Sequence, residues 1–317
     1  MYFCFQADIT EEGVEFQSPT TGERMLLTPE RSMAIQNAIG ADIIMALDDV
    51  VSSVHVGPER FEEATHRTLR WIDRCIAAHS RPGEQNLFAI VQGGLDVRLR
   101  DICLKGLAAR DAHLPGYAIG GLAGGEDKGL FWRVIDQCTA ALPAGKPRYV
   151  MGVGYPLDIV VCSCLGADMY GAHAPPRCVV ASHPFSLAAA PADCVYPTRT
   201  ARFGTALVPE GTLRLRQACH ASDPAPIDAT CACLVCRTYS RAYLHAAATR
   251  EPRAAYLISY HNLFYMQRFT AEMRAAIEDG TLPRWVRAFV EAQRPQMPGG
   301  VVPDWVVDAL AAAGIPL

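Results

Sequence analysis

An alternation of helix-like and strand-like segments across residues 27–154 narrows the choice of folds for this 317-residue chain more than any other pattern. Short apolar segments, such as residues 87–91 and 117–119, read as strands, and the segments between them carry apolar residues at helical spacing. Apolar strands that are buried on both faces and separated by helices are typical of parallel β/α units. The pattern therefore predicts an α/β fold with a parallel sheet.

Local signals mark the ends of the predicted elements. Thr28, Pro29 and Glu30 read as an N-cap, a first-turn proline and a first-turn acid, and Gly40 is expected to end that helix. A strand at residues 41–47 then ends at Asp48. The later elements are a helix at 59–79, a strand at 87–91, a helix at 96–109, a strand at 117–119, a helix at 127–142, a strand at 149–153 and a helix at 157–165.

The segments that follow the predicted strands are polar or rich in glycine. They are Asp48-Asp49, Gln92-Gly93-Gly94, Gly120-Gly121 and Gly152-Val153-Gly154. Any one of them could be an ordinary turn, but the chemistry of a (β/α)8 barrel lies at the C-terminal ends of its strands, and four such ends in register indicate a site. A doubly wound open sheet is the alternative, and the lack of a glycine-rich phosphate loop before the first helix counts against it.

Composition favours a soluble intracellular protein. Half of the residues are hydrophobic, the formal net charge is −4, and no run of about 18 apolar residues predicts a membrane span. The first residues lack the features of a secretory signal. One stretch, residues 193–253, carries eight arginines against five acids and is the local charge pattern that favours nucleic acid.

Three of the twelve cysteines form a cluster. Cys231, Cys233 and Cys236 lie close together, and His261 lies in residues 254–280, which are predicted to form a long helix. A lone histidine on an apolar helix is more often a core residue than a ligand, but three thiolates and one imidazole complete a tetrahedral zinc site. The pattern predicts a structural Zn2+ with no open coordination position.

Asp193 belongs to a second group of polar residues. It ends a short β-type run and is followed by Pro197 and by two arginines, Arg199 and Arg202. Spacing alone favours an ordinary strand end with a solvated loop. The functional alternative is a carboxylate nucleophile with guanidinium groups that bind a phosphate backbone.

Taken in order, these motifs resemble the tRNA-guanine transglycosylase family. The resemblance rests on the cysteine motif with His261-Asn262, on the run from Asp193 to Arg202, and on the segments 91–95, 118–122 and 151–154. Residues 47–50, Leu-Asp-Asp-Val, are similar to the eukaryotic, queuine-using branch. The accessory subunit of that branch shares the fold but lacks the catalytic carboxylates, so Asp48 and Asp193 favour the catalytic subunit.

The resemblance implies exchange of guanine for queuine at the wobble position of tRNAs with a G-U-N anticodon. Asp193 would be the nucleophile and form a covalent ribose ester. Asp48 would accept hydrogen bonds from N1 and N2 of the base, while Gln92 and the Gly121 amide would donate to its carbonyl. The segments implied to contact tRNA are Gly152, Val153, Gly154, Tyr155, Pro156, Leu157 and Asp158, and Thr198, Arg199, Thr200, Ala201 and Arg202.

The resemblance also predicts how the chain is divided and what it assembles with. An incomplete TIM-type (β/α)8 barrel with about five of the eight strands would span residues 11–202, and a zinc-binding subdomain with C-terminal helices would span 203–317. Residues 1–10 would be a non-family extension and 171–192 an atypical insertion, which we interpret as translated intron at 1–6 and 171–192. The expected partner is the accessory subunit in a heterodimer, with a cytoplasmic location and association with the mitochondrial outer membrane.

Two further functions remain open at this stage. Family members carry an Asp-Ser-Gly-Gly-Phe-Gln motif that supplies a general acid/base, and this motif does not occur in the sequence. The chain could therefore be a catalytically impaired fragment that binds the accessory subunit. It could also be a non-catalytic protein that binds zinc and RNA.

Overall fold

The computed structural model describes residues 8–51, 57–122, 125–170, 195–250 and 254–317. The chain divides into two compact units, Met1–Met151 and Gly152–Leu317. No helix within the described ranges is both long enough and apolar enough to cross a membrane.

The first unit contains a small antiparallel sheet followed by parallel strands that alternate with helices. The antiparallel strands are β1 (Asp8–Ile9), β2 (Val14–Gln17) and β3 (Arg24–Leu27). The alternating elements are α1 (Pro29–Ile39), β4 (Ile43–Met45), α2 (Pro58–Ala78), β5 (Asn86–Val91), α3 (Val97–Ala108), β6 (Gly116–Ile119), α4 (Lys128–Ala141) and β7 (Arg148–Val150). The antiparallel strands were not predicted from the sequence.

Strands β4 to β7 pair in chain order, and every pairing is parallel. In the register, Ile44 lies opposite Leu87 and Ile90 lies opposite Ala118. Five of the six residues of β5 are buried, because α2 and α3 pack against this strand. Since the strands are parallel, the C-terminal ends of β4, β5 and β6 meet at one edge of the sheet.

The predicted helix signals are confirmed in α1 and α2. The Thr28 hydroxyl accepts a hydrogen bond from the Arg31 amide at 3.2 Å, and Gly40 adopts a left-handed φ of 79° after the last turn of α1. In α2, which matches the helix predicted at residues 59–79, the apolar residues Trp71, Ile72 and Cys75 are buried. The Trp71 indole donates to the Glu11 carbonyl at 2.9 Å and so ties α2 to the segment between β1 and β2.

The second unit is mainly helical. Its elements are α5 (Pro156–Cys164), β8 (Met169–Tyr170), α6 (Tyr196–Arg202), β9 (Thr205–Val208), β10 (Gly211–Arg214), α7 (Leu234–Thr238), α8 (Arg241–Arg250), α9 (Ala254–Glu278), α10 (Leu282–Gln293) and α11 (Asp304–Ala312). Strands β9 and β10 form an antiparallel hairpin. Helix α9 is the centre of this unit, because α6, α7, α8, α10 and β9 all pack against it.

The structure confirms the predicted fold class. Four parallel strands pair in the first unit, the second unit contains the short fifth strand β8, and a Cys3His group lies in the C-terminal half of the chain. The predicted domain boundaries at residues 10 and 202 stay predictions. The predicted insertion at 171–192 lies outside the described residues.

Candidate active site and metal centre

The three residues predicted to bind a base lie at the ends of consecutive strands. Asp48 comes after β4, Gln92 after β5 and Gly121 after β6. Gln92 Nε2 donates to Asp48 Oδ2 at 2.6 Å. A methyl group on Gly121 would lie 2.6 Å from Gln92 Oε1, so the Gly121 backbone lies directly against the Gln92 amide. The structure therefore brings the three predicted residues together.

Asp48 titrates closer to neutrality than an ordinary aspartate. Although part of the residue is exposed, protein atoms surround its carboxyl group, and this burial raises the pKa to about 6. The hydrogen bond from Gln92 opposes the rise, while the negative charge of Asp49 adds to it. Asp48 is thus a hydrogen-bond acceptor above about pH 6 and a protonated acid below it.

Asp49 differs from its neighbour because two arginines neutralise it. Its side chain is fully buried. The Arg60 guanidinium donates to both carboxylate oxygens at 2.6 and 2.8 Å, and Arg67 donates to Oδ2 at 2.6 Å. Because Arg60 and Arg67 both belong to α2, their bonds to Asp49 attach the loop that contains Asp48 to this helix.

Arg100 is a residue at this edge that the sequence did not single out. It lies in the first turn of α3, is fully buried, and donates to the carbonyls of Gly94, Val91 and Gly120, each at 2.8 Å. Its position on the buried stripe of α3, one residue after Leu99, was the available signal, because a charged residue on an apolar stripe needs special partners.

The four predicted metal ligands converge in the second unit. The donor atoms of Cys231, Cys233, Cys236 and His261 all lie within 4.8 Å of one another. His261 Nδ1 lies 3.3, 3.5 and 3.9 Å from the sulfurs of Cys236, Cys233 and Cys231. Around a tetrahedral zinc ion the nitrogen and a sulfur would be about 3.5 Å apart. The donor set and its spacing therefore fit a closed metal site.

Hydrogen bonds outside the four ligands orient the histidine. His261 Nε2 lies 2.8 Å from the Leu207 carbonyl, so this nitrogen carries the proton and Nδ1 is left to bind metal. Burial lowers the pKa of His261 and thus favours the neutral imidazole that a metal needs. The site connects α9 with β9.

The neighbouring residue, Asn262, connects α9 with α6. Its Nδ2 donates to the carbonyls of Pro197 at 2.9 Å and Thr205 at 3.0 Å, and its Oδ1 accepts from the Leu207 amide at 2.8 Å. The side chain is fully buried, and these bonds satisfy it. The ligand helix therefore also fixes the position of α6.

The first predicted RNA segment, residues 152–158, is a turn that leads into α5. Gly152 has a left-handed φ of 77°. Val153 and Asp158 are buried, whereas Tyr155 is exposed at the start of the helix. The Tyr155 ring lies 4.5 Å from that of Tyr196 at the start of α6, so the two aromatic rings place the starts of α5 and α6 side by side.

The second predicted RNA segment, residues 198–202, is helical. The spacing had favoured a solvated loop, but these residues form most of α6, with Pro197 in its first turn and Thr200 bonded back to Tyr196 at 2.7 Å. Arg199 and Arg202 lie near the end of the helix, and within the described part of the chain neither forms an ion pair. Both residues are exposed.

Comparison with known proteins decides the family. The sequence profile of queuine tRNA-ribosyltransferase matches residues 2–185 and 191–295. The chain belongs to this family. The motifs that pointed to it are thereby confirmed, and the chain falls within the pentosyltransferase class.

Other members of the queuine tRNA-ribosyltransferase family align with most of this chain. The catalytic subunit from Schizosaccharomyces pombe is 43% identical over 98% of this chain and 72% of its own length. The catalytic subunit from Caenorhabditis elegans is 43% identical over 98% of this chain and 74% of its own. The queuine tRNA-ribosyltransferase of Thermus thermophilus is 42% identical over 96% of this chain and 72% of its own.

The expected nucleophile, Asp193, lies outside the described residues. The description resumes at Val195, directly before α6. The assignment of Asp193 stays a prediction.

Proposed function

We propose that this chain is a tRNA-guanine transglycosylase that exchanges guanine for queuine at the wobble position of G-U-N tRNAs. The observation that carries the proposal is the contact between Asp48 and Gln92 beside the Gly121 backbone. One acceptor and two potential donors at one edge of the sheet suit the N1, N2 and O6 groups of guanine. The names of the relatives add support, since those proteins are queuine tRNA-ribosyltransferases.

The proposed reaction is a double displacement at C1′ of the nucleotide. The Asp193 carboxylate attacks C1′ while the C1′–N9 bond breaks, and guanine leaves with the electron pair and takes up a proton. The incoming queuine gives up its N9 proton, attacks C1′, and displaces the carboxylate. The tRNA stays covalently attached between the two steps.

In this proposal, different residues bind the base and the backbone of the tRNA. Asp48, Gln92 and Gly121 bind the extruded base, and the turn at residues 152–158 together with Arg199 and Arg202 binds the tRNA backbone. Exposed arginines suit phosphates because guanidinium groups form bidentate, charge-assisted hydrogen bonds with them. Zn2+ is the proposed ion of the Cys3His group, where it would hold the fold.

The proposed assembly is a heterodimer with the accessory subunit of the same family, in the cytoplasm or at the mitochondrial outer membrane. Copurification of the accessory subunit with the tagged chain, followed by cell fractionation, tests both points. Recovery of the chain alone, in another compartment, would contradict them.

Base exchange is the direct test of the function. The chain is incubated with the accessory subunit, a G-U-N tRNA and labelled guanine, and the label in RNA is counted. Incorporation that unlabelled queuine suppresses is expected. A folded chain that binds tRNA but incorporates no label would contradict the proposal and favour a non-catalytic binding protein.

A further inference from the structure

Arg100 is a buried cation that main-chain carbonyls surround. Its side chain is 0% exposed, and Glu126 is a carboxylate whose negative charge acts on it. Its hydrogen-bond partners are carbonyl oxygens: Nε donates to Gly94, Nη1 to Val91 and Nη2 to Gly120. Burial of a guanidinium is costly, so three short charge-assisted bonds are needed to offset it.

The three carbonyls flank the two segments that carry the base-binding donors. Val91 is the last residue of β5 and directly precedes Gln92, and Gly94 follows two residues later. Gly120 directly precedes Gly121. A single guanidinium therefore joins the ends of two neighbouring strands at the candidate active site.

The bond to Gly120 also sets the direction of the Gly121 amide. A trans peptide group is planar, and its C=O and N–H point in opposite directions. Because the Gly120 carbonyl points at Arg100, the Gly121 N–H must point away from it. Gly121 has a φ of 71°, and glycine rotates more freely than other residues, so this peptide needs an external partner to keep one orientation.

The turn that carries Gln92 is packed tightly against the same helix. A methyl group on Gly93 would lie 2.7 Å from the Arg100 backbone nitrogen. The Gln92 backbone N–H donates to Cys103 Sγ, also in α3, at 3.3 Å. Helix α3 thus supports the turn with its backbone and holds its carbonyls with the Arg100 side chain.

We propose that Arg100 is a positioning residue for base binding, which locks the Gly120–Gly121 peptide and the Gln92 turn so that both donors face the carbonyl of the bound purine. It does not touch the base. The inference rests on the proposed function, because it assigns Gln92 and Gly121 to recognition of guanine.

Arg100→Lys tests the inference, with Arg148→Lys as the matched control. Lysine keeps the charge, but one ammonium group cannot reproduce a planar fork that reaches three carbonyls. Arg148 is likewise a buried arginine that donates to a carbonyl, that of Leu142 at 3.1 Å, but it lies at the start of β7, at the opposite end of the strand from the site.

Three measurements are made on each variant: the KM and kcat for labelled guanine in base exchange, guanine binding by equilibrium dialysis without tRNA, and tRNA affinity in a native gel. Arg100→Lys is expected to raise the KM and the dissociation constant for guanine about tenfold or more. We expect kcat and tRNA affinity to stay within about threefold of the wild type. Arg148→Lys is expected to leave the KM unchanged. Should Arg100→Lys fail to fold, Arg100→Gln removes the buried charge and keeps a planar donor, and the same rise in KM is expected.

The outcomes distinguish failure of the proposed function from failure of the role proposed for Arg100. A wild-type chain that neither binds nor exchanges guanine sinks the proposed function and the role of Arg100 with it. An active wild type with an unchanged guanine KM in the folded Arg100 variant overturns the role of Arg100 alone. A fall in kcat with constant KM, shared with Arg148→Lys, would mean that Arg100 serves only stability.

Discussion

Two adjacent aspartates with the same side chain have different environments in this protein. Asp48 accepts a hydrogen bond from the Gln92 side-chain amide and has a raised pKa, whereas Asp49 is buried between Arg60 and Arg67. The strand pattern placed both at the end of a strand. Only the family resemblance separated them, because the arginines that neutralise Asp49 come from a helix formed by later residues. Asp48 is thus the acid of this pair that remains available to a ligand.

The pKa of Asp48 predicts how base binding depends on pH. Burial raises this pKa to about 6, so the carboxylate acceptor is present above that value and is lost as the pH falls through it. The KM for guanine should therefore rise about tenfold between pH 7 and pH 5, following the fraction of ionised Asp48. Guanine exchange measured across this range checks the expectation.

Asp48→Asn is the matched control for this pH dependence. The asparagine side chain does not titrate, so the KM of this variant for guanine should not change with pH. The KM should also be high at every pH, because the N1 and N2 donors of guanine then face an amide that accepts through only one oxygen. A pH profile of the same shape in Asp48→Asn would show that another group titrates.

At the scale of elements, the metal site and Asn262 join α9 to β9 and α6. His261 donates to the Leu207 carbonyl, and Asn262 bonds to Leu207, Thr205 and Pro197. Two consecutive residues of one helix thereby fix the helix that carries Arg199 and Arg202. The metal centre should therefore support the proposed tRNA surface through α9.

Loss of one ligand should release the metal and destabilise the second unit. Cys233→Ser is expected to lose about one equivalent of copurifying zinc, because one of the four ligands is missing. The protein should also lose stability, since structural zinc contributes several kcal/mol to folding. A fall in melting temperature of roughly 10 °C or more should follow. Metal analysis and thermal unfolding measure both effects.

Cys219→Ser is the control for the metal prediction, because Cys219 is an exposed cysteine outside the cluster. It should keep both the zinc and the melting temperature. Full metal retention in Cys233→Ser would refute the assignment of the ligands.

The arginines of α6 should contribute to tRNA affinity by binding phosphates. Arg199→Ala with Arg202→Ala is expected to weaken tRNA binding at low salt and to reduce the salt slope by roughly one for each phosphate that is no longer bound. The double variant Arg284→Ala with Arg287→Ala removes two arginines at the same spacing from α10 and should change neither quantity. An unchanged slope in the α6 variant would place the RNA elsewhere.

For the whole molecule, the elements with local signals could be predicted and the long-range contacts could not. Helix α1 has its N-cap, its first-turn proline and its terminal glycine within 13 residues, and it was predicted with the observed ends. Helix α6 has seven residues and depends on Asn262, which lies 65 positions after Pro197. Its helical form could not be read from the local sequence.

The candidate site shows the same division. The spacing of the cysteine motif is itself a signal, and the structure brings its four predicted ligands together. The strand ends predicted the polar edge of the sheet, while the family resemblance singled out Asp48, Gln92 and Gly121 within it. The support from Arg100 was missed, since it appears only when α3 folds back over the ends of β5 and β6. The sequence thus indicated which groups form the site, and the structure supplied what orients them.

The central claim is that Asp193 forms a covalent bond with the tRNA, and a denaturing gel tests it most directly. The wild-type chain, Asp193→Asn and Asp48→Asn are each mixed with the accessory subunit and a G-U-N tRNA and separated in SDS. A shifted, SDS-resistant band is predicted for the wild type, a weaker one for Asp48→Asn, and none for Asp193→Asn, although that variant should still bind tRNA in a native gel because its shape is nearly unchanged. A band of normal intensity with Asp193→Asn, or no band at all with the folded wild-type chain, would contradict covalent attachment through this carboxylate.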